Sequence, residues 1–192
     1  MSDPYSLPDG KCLRNKLDIE DPETFKQAEA RIVSIRDVEL ARQSLPGEYT
    51  LEHLQGFHHA LFKDVYDWAG KTRTVNIAKG ASNFCPWRFV DEQTSAVLGN
   101  LETDGWLLGL DRDNFLERLA WYYSELNAMH PFREGNGRTL RAFLRQLSAA
   151  AGWRLDWSAL NKDDNNAASS HSLRTTATTE LIKVLAPVIV RM

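Results

Sequence analysis

Nine consecutive residues, His130-Pro131-Phe132-Arg133-Glu134-Gly135-Asn136-Gly137-Arg138, place a proton acceptor, a carboxylate, two glycines and a guanidinium between two stretches of helical periodicity. Loops held by a rigid scaffold are where functional groups concentrate. Gly135 and Gly137 carry no Cβ, so successive backbone N–H groups can turn into one concavity, to which the next helix adds its positive end. Such a concavity suits phosphates. Arg138, in the first turn of that helix, and Arg141, three residues on, share a face and offer permanently charged, bidentate clamps. Glu134 would repel a bare phosphate chain, so its presence argues for a Mg²⁺ ion between them and hence for metal-bound nucleotide. His130 is the one group of the loop that changes charge near neutrality, and it could deprotonate an incoming hydroxyl, a role worth ~10²- to 10⁴-fold in rate. Pro131 restricts the backbone of His130, and Phe132 can plug the loop into a core. A lone G-x-G turn would be a connector; nine specified positions on a helix–loop–helix frame, each with a distinct job, point to one reaction.

Several elements must position this loop. Asp21-Pro22 starts a helix through Phe25, Ala28, Ile32 and Ile35 to about Gln43, and Pro46-Gly47 stops it. Thr50 caps a second helix carrying Leu54, Phe57, Leu61, Phe62 and Val65, expected to end near Tyr66. Arg73 to Ile77, followed by Lys79-Gly80 and Ser82 to Phe84, gives the one hairpin signal. Helical spacing resumes from Phe89 to Leu101, and again from Asp113, read as a cap, through Phe115, Leu119, Tyr122, Tyr123 and Leu126 up to Pro131. A further helix is expected from Gly137 through Leu140, Phe143, Leu144 and Leu147, with Gly152 past its end. Asp156 and Asp163 are read as caps of two more helices, and Leu181 to Val190 as a C-terminal helix ended or kinked by Pro187. The outline is mostly α, with one hairpin before the middle.

With 192 residues, 43% of them hydrophobic, the chain suits one well-filled domain spanning 1–192. A formal charge of −3 supplies no cationic excess for direct nucleic-acid or membrane-surface binding. Cys12 and Cys85 form neither a CxxC pair nor a disulfide framework, which suits a reducing cytoplasm. The polar stretch Met1 to Lys11 lacks the apolar centre of a signal peptide, and no run of about 18 apolar residues would span a bilayer. A soluble, unprocessed cytoplasmic protein is expected. Adjacent His58 and His59 diverge by about 100° on a helix, so they make no metal pair. His53 and His171 lack distinctive partners, and the six Trp residues read as packing rather than as a stacking platform.

The loop resembles the signature of the Fic family, His-Pro-Phe-x-(Asp/Glu)-Gly-Asn-Gly-Arg with Arg three residues later, at every specified position. Asp3-Pro4-Tyr5 with Leu13-Arg14-Asn15 resembles the family's N-terminal stretch, and Lys71-x-Arg73 through Lys79-Gly80 and Phe84 its flap, about 71–86. The resemblance implies an all-α core with a β-hairpin flap, and transfer of AMP from ATP to a Tyr, Ser or Thr hydroxyl of a target protein. It makes His130 the catalytic base and Glu134 the Mg²⁺ ligand. Gly135, Asn136, Gly137, Arg138 and Arg141 would bind the nucleotide phosphates, with Lys79 and Gly80 bordering the pocket. The flap would hold the target by edge-strand pairing, and Asp163 to Ser172 resembles the stretch near the adenine site.

In kinase-like members related to the Doc toxin, Lys replaces the second glycine of the signature; here it is Gly137, which favours AMP transfer over phosphorylation. The other alternative is a catalytically quiet module that binds nucleotide and a partner. Many members carry an inhibitory helix, (Ser/Thr)-x-x-x-Glu-(Gly/Asn). Ser44 to Glu48 has that spacing but contains Pro46-Gly47 and is followed by Tyr49, and Thr176 to Glu180 is followed by Leu181. The resemblance therefore points to short toxin-like members held by a separate small antitoxin, whose targets are bacterial type II topoisomerases through the ATPase subunit.

Overall fold

The computed structural model describes residues 3–79 and 82–192. Helix α1 (Pro22–Arg42) starts at Asp21, whose side chain accepts from the Thr24 N–H, with proline in the first turn where no N–H is needed. Thr50 caps α2 (Leu51–Phe62). The flap strands β1 (Ala78–Lys79) and β2 (Ser82–Asn83) pair antiparallel, Ala78 opposite Asn83 and Lys79 opposite Ser82. A single 3-10 turn, Trp87–Phe89, leads into α3 (Val90–Thr103). Helices α4 (Arg112–Met129) and α5 (Asn136–Ala150) flank the loop, and β3 (Trp153–Leu155), α6 (Lys162–Thr175), α7 (Thr179–Leu185) and β4 (Ile189–Arg191) follow.

The core lies where α2, α4 and α5 meet. Leu140, Phe143, Leu144 and Leu147 of α5, at i, i+3, i+4 and i+7, are buried against Leu54, Phe57 and Leu61 of α2 and Leu119, Tyr122 and Leu126 of α4. Each such side chain contributes about 1.5–3 kcal/mol on leaving water, so the two helices on either side of the loop are fixed by one shared apolar core.

The mostly helical architecture with its flap hairpin agrees with the expectation, and five details differ. The cap of α4 is Asp111, which accepts from Asn114, leaving Asp113 in the first turn. Asn161 caps α6, accepting from both Asp163 and Asp164, while Asp156 caps only the 3-10 turn Trp157–Ala159. The second helix closes at Phe62, four residues before Tyr66. Residues 73–77 belong to no strand, so the flap ladder is two residues long on each side. The expected C-terminal helix stops at Leu185, because Pro187 turns the chain into 3-10 form; β-branched Ile189 and Val190 then pair with β3. That second ladder joins segments over thirty residues apart, a pairing that local periodicity does not carry.

Candidate active site

His130 ends α4 in the left-handed region (φ 47°, ψ 60°), a conformation uncommon for a residue with a Cβ and one that must be held by its surroundings. Two interactions hold its ring. Nδ1 lies 2.9 Å from the Asn127 carbonyl, which can only accept, so the proton sits on Nδ1 and the Nε2 lone pair has no partner among the described residues. Phe84 of the flap stacks on the imidazole with centroids 3.7 Å apart. Burial pushes the pKa of His130 down to about 4, against the Asn127 bond, which raises it; the charges of Arg73 and Lys79 lower it further. The imidazole is therefore neutral at pH 7, the form that can accept a proton.

Beyond His130 the loop is closed by its own residues. Asn136 accepts from the Phe132 N–H (2.8 Å) and donates to the Phe132 carbonyl (2.7 Å), spanning the turn from inside. Phe132 is buried and stacks on His58, centroids 4.0 Å apart. His58 accepts from the Gly70 N–H at Nδ1, so its Nε2–H donates to the Glu134 carbonyl at 3.1 Å. Burial drives this imidazole's pKa to about 3, in spite of the Glu134 bond and with help from Arg138. His58 thus serves the loop as a neutral strut. Arg133 reaches back to Asp3 (2.9 and 2.6 Å), and Tyr5 meets Thr74, which anchors the N-terminal arm to loop and flap.

Gly135 stands at φ +81°, and a Cβ there would lie 2.3 Å from Phe62 Cζ, so packing and backbone both demand glycine. At Gly137 the backbone is helical and a Cβ would meet only the flexible end of Arg141, at 3.4 Å. The fold itself has no need of glycine at this position. Past Gly135, the N–H groups of Asn136, Gly137 and Arg138 have no acceptor among the described residues, as expected at a helix start, and they form a mouth whose geometry suits an anion. Glu134 caps the Gly135 N–H with Oε1 (2.8 Å), and its Oε2 accepts nothing among the described residues.

The two arginines part company. Arg138 makes two 2.8 Å bonds to the buried carboxylate of Glu29, contacts Glu134 at 3.4 Å and lies over the Phe62 ring at 4.8 Å. Tyr66 completes this network, donating to Glu29 at 3.0 Å. Burial is the largest influence on Arg138 and disfavours its charge, yet the Glu29 bonds and the charges of Glu29 and Glu134 together outweigh it and raise the pKa. Arg141 has no ion-pair partner among the described residues and extends over Gly137. The expected pair of phosphate clamps is thus one free arginine and one compensated arginine, and the Asn136 side chain likewise faces the loop, leaving its N–H to the mouth. Glu29 was not among the expected residues; its signal is a carboxylate on the buried stripe Phe25, Glu29, Val33 of α1.

Two clefts flank Arg138. One, about 490 Å³, is lined by Lys11, Phe25, Glu29, Tyr66 and Glu134; the other, about 240 Å³, by Ser34, Arg141, Arg145 and Trp157. A further cleft of about 730 Å³, lined by the segment before α2, by α2 and by α3, contains no residue of 130–138. Lys79 is exposed on the flap with its charge felt at His130, whereas Gly80 lies outside the described residues. Helix α6, carrying 163–172, packs beside β2.

The Fic/DOC family profile matches residues 48–148. The protein adenylyltransferase VbhT of Bartonella schoenbuchensis is 40% identical over 171 residues, which cover 89% of this chain but 36% of that protein. The probable protein adenylyltransferase Fic of Escherichia coli K12 is 37% identical over 169 residues, covering 87% of this chain and 82% of the relative. Among solved structures, the BepC protein of Bartonella tribocorum with bound AMPPNP superposes with a TM-score of 0.93 at 23% identity, over 98% of this chain and 97% of that one, a likeness of fold.

Proposed function

The chain belongs to the Fic/DOC family, and on that premise we propose that it transfers AMP from ATP to a hydroxyl side chain of a target protein, with residues 1–192 acting as one domain. The observation that supports this reading is His130 with its Nδ1 held on the Asn127 carbonyl and its Nε2 without a partner among the described residues, in the same loop as the unpartnered N–H groups that start α5 and a Gly137 that packing does not require. The ATP phosphates lie on the N–H groups of Asn136, Gly137 and Arg138 beside Gly135, with Arg141 as the clamp and Arg138 holding Glu134 in place. His130 Nε2 takes the proton of the target's Tyr, Ser or Thr hydroxyl as its oxygen attacks the α-phosphorus. The bond from that phosphorus to the bridging oxygen breaks and pyrophosphate leaves, its charge met by donors already in position. BepC, of the same fold, holds AMPPNP.

A magnesium ion fits this site. No cluster of three or more metal-ligating side chains exists among the described residues, and Mg²⁺ usually takes one or two carboxylates plus substrate phosphates. Glu134 would hold it through the free Oε2, and bound Mg²⁺ would offset phosphate charge. Lys79 of the flap borders the nucleotide, and the flap edge takes the target segment by strand pairing.

A separate small antitoxin as the regulator is part of the same proposal. Ser44 to Glu48 lies in the loop between α1 and α2, and Thr176, left-handed at φ 62°, breaks the second candidate between α6 and α7. The ATPase subunit of a bacterial type II topoisomerase is the first target to assay. No helix among the described residues is long and apolar enough to cross a membrane, and a cytoplasmic site of action is part of the proposal. The test is labelling of a bacterial lysate with ATP carrying the label at the α-phosphate. Transfer by the wild-type chain and its loss in His130→Ala, which retains cooperative unfolding, are expected; equal labelling by both would remove the base.

A further inference from the structure

Arg73 stands at the foot of the flap with its guanidinium buried, and no carboxylate among the described residues pairs with it. Main-chain carbonyls surround the charge instead. Nε donates to His130 O at 2.8 Å, one terminal nitrogen to Val75 O at 2.8 Å, and the other to Met129 O at 3.1 Å and to Cys85 O. Its own N–H donates to Pro131 O at 2.8 Å. One side chain therefore joins the outgoing leg of the flap (Val75), the returning leg (Cys85) and the last carbonyls of α4. A helix C-terminus leaves carbonyls without partners and carries the negative end of the dipole, so a cation is stabilised there without a counter-ion. The same join is repeated by Cys85 N–H on Ala128 O at 3.0 Å and by Phe84 stacked on the His130 ring.

We propose that Arg73 is the positioning residue that registers the flap against His130, so that a target segment carried on the flap presents its hydroxyl to Nε2. The proposal rests on the AMP-transfer reading. A lysine cannot replace it fully, because three donors around a point do not reach four carbonyls as a planar fork does. Arg73 makes no hydrogen bond to Gly135, Asn136, Gly137 or Arg138, so the start of α5 keeps its own bonds without it, and only Lys79 links the flap to the nucleotide.

Arg73→Lys and Arg73→Met are compared with wild type by ATP titration, by the initial rate of AMP labelling of a bacterial lysate, and by hydrogen exchange at the Cys85 and His130 amides. ATP affinity is expected to fall far less than labelling, because the N–H groups at the start of α5 and Arg141 stay in place and only Lys79 moves with the flap. Labelling should fall ~10²-fold in Arg73→Met, the scale of a displacement near 1 Å, with Arg73→Lys intermediate and exchange faster at both amides. A folded Arg73→Met that labels at the wild-type rate, or loses ATP affinity by the same factor as labelling, overturns the proposal. If Arg73→Met does not fold, Arg73→Lys with wild-type labelling and exchange overturns it. If wild type labels nothing, AMP transfer fails as a reading, and unchanged exchange in Arg73→Lys separately refutes the join.

Discussion

Alanine at the two loop glycines should move stability in opposite directions, and at Gly137 it should move stability and activity apart. Gly135→Ala places a methyl 2.3 Å from Phe62 Cζ on a backbone at φ +81°. The left-handed conformation costs about 1–2 kcal/mol for a residue with a Cβ, and overpacking a core ring adds about 1–3 kcal/mol. A loss of ~2–5 kcal/mol follows. Gly137→Ala meets only the end of Arg141 at 3.4 Å, on a helical backbone where alanine is favoured by up to about 1 kcal/mol. Its fold should be unharmed or stabilised. The methyl, however, stands in the anion mouth, so ATP binding should weaken and AMP transfer fall ~10²-fold from misplaced phosphates. Urea unfolding and ATP titration measure the two effects on the same protein. Gly137→Ala that binds ATP and transfers AMP like wild type would refute the claim that this glycine is kept for a ligand.

Other outcomes follow from the same geometry. Arg138→Met leaves the buried Glu29 carboxylate unpaired and should cost ~3 kcal/mol in denaturant unfolding; adding Glu29→Gln should return much of it, and strictly additive losses would show the two are uncoupled. Asn136→Ala leaves the buried Phe132 N–H and carbonyl without partners, so about 2–4 kcal/mol should be lost, with little loss indicating that the loop closes otherwise. The pKa of His130 is depressed from 6.5 to about 4 and that of His58 to about 3. The unfolded chain then binds more protons below pH 6.5, so their contribution to stability is complete above pH 6.5 and shrinks as pH falls toward 4. Thermal unfolding midpoints measured from pH 7.5 to 4.5 should drop in wild type and drop less in His130→Ala. A parallel decline in both would place the effect elsewhere.

The loop's position was legible in the sequence, and the structure sets the histidine, the carboxylate and both glycines between the end of α4 and the start of α5. The helices were legible from Asp21 and Thr50 as caps and from the apolar stripe of α5. What could not be read is what depends on distant partners. Arg138 looked like a free clamp until Glu29, 109 positions away, appeared beside it. Arg73 read as a flap strand residue, yet its side chain serves carbonyls up to 57 positions away. The β3–β4 ladder has the same origin, and the caps at Asp111 and Asn161 were misjudged because neighbouring aspartates offered equally good signals.

The most direct test is the mass of the group placed on a labelled target residue. Wild-type chain with Mg²⁺ and ATP should leave an adenylyl group on a Tyr, Ser or Thr side chain, and His130→Ala should leave none while still binding ATP. A phosphoryl group in its place, or an adenylyl group formed equally by His130→Ala, would contradict AMP transfer by this loop.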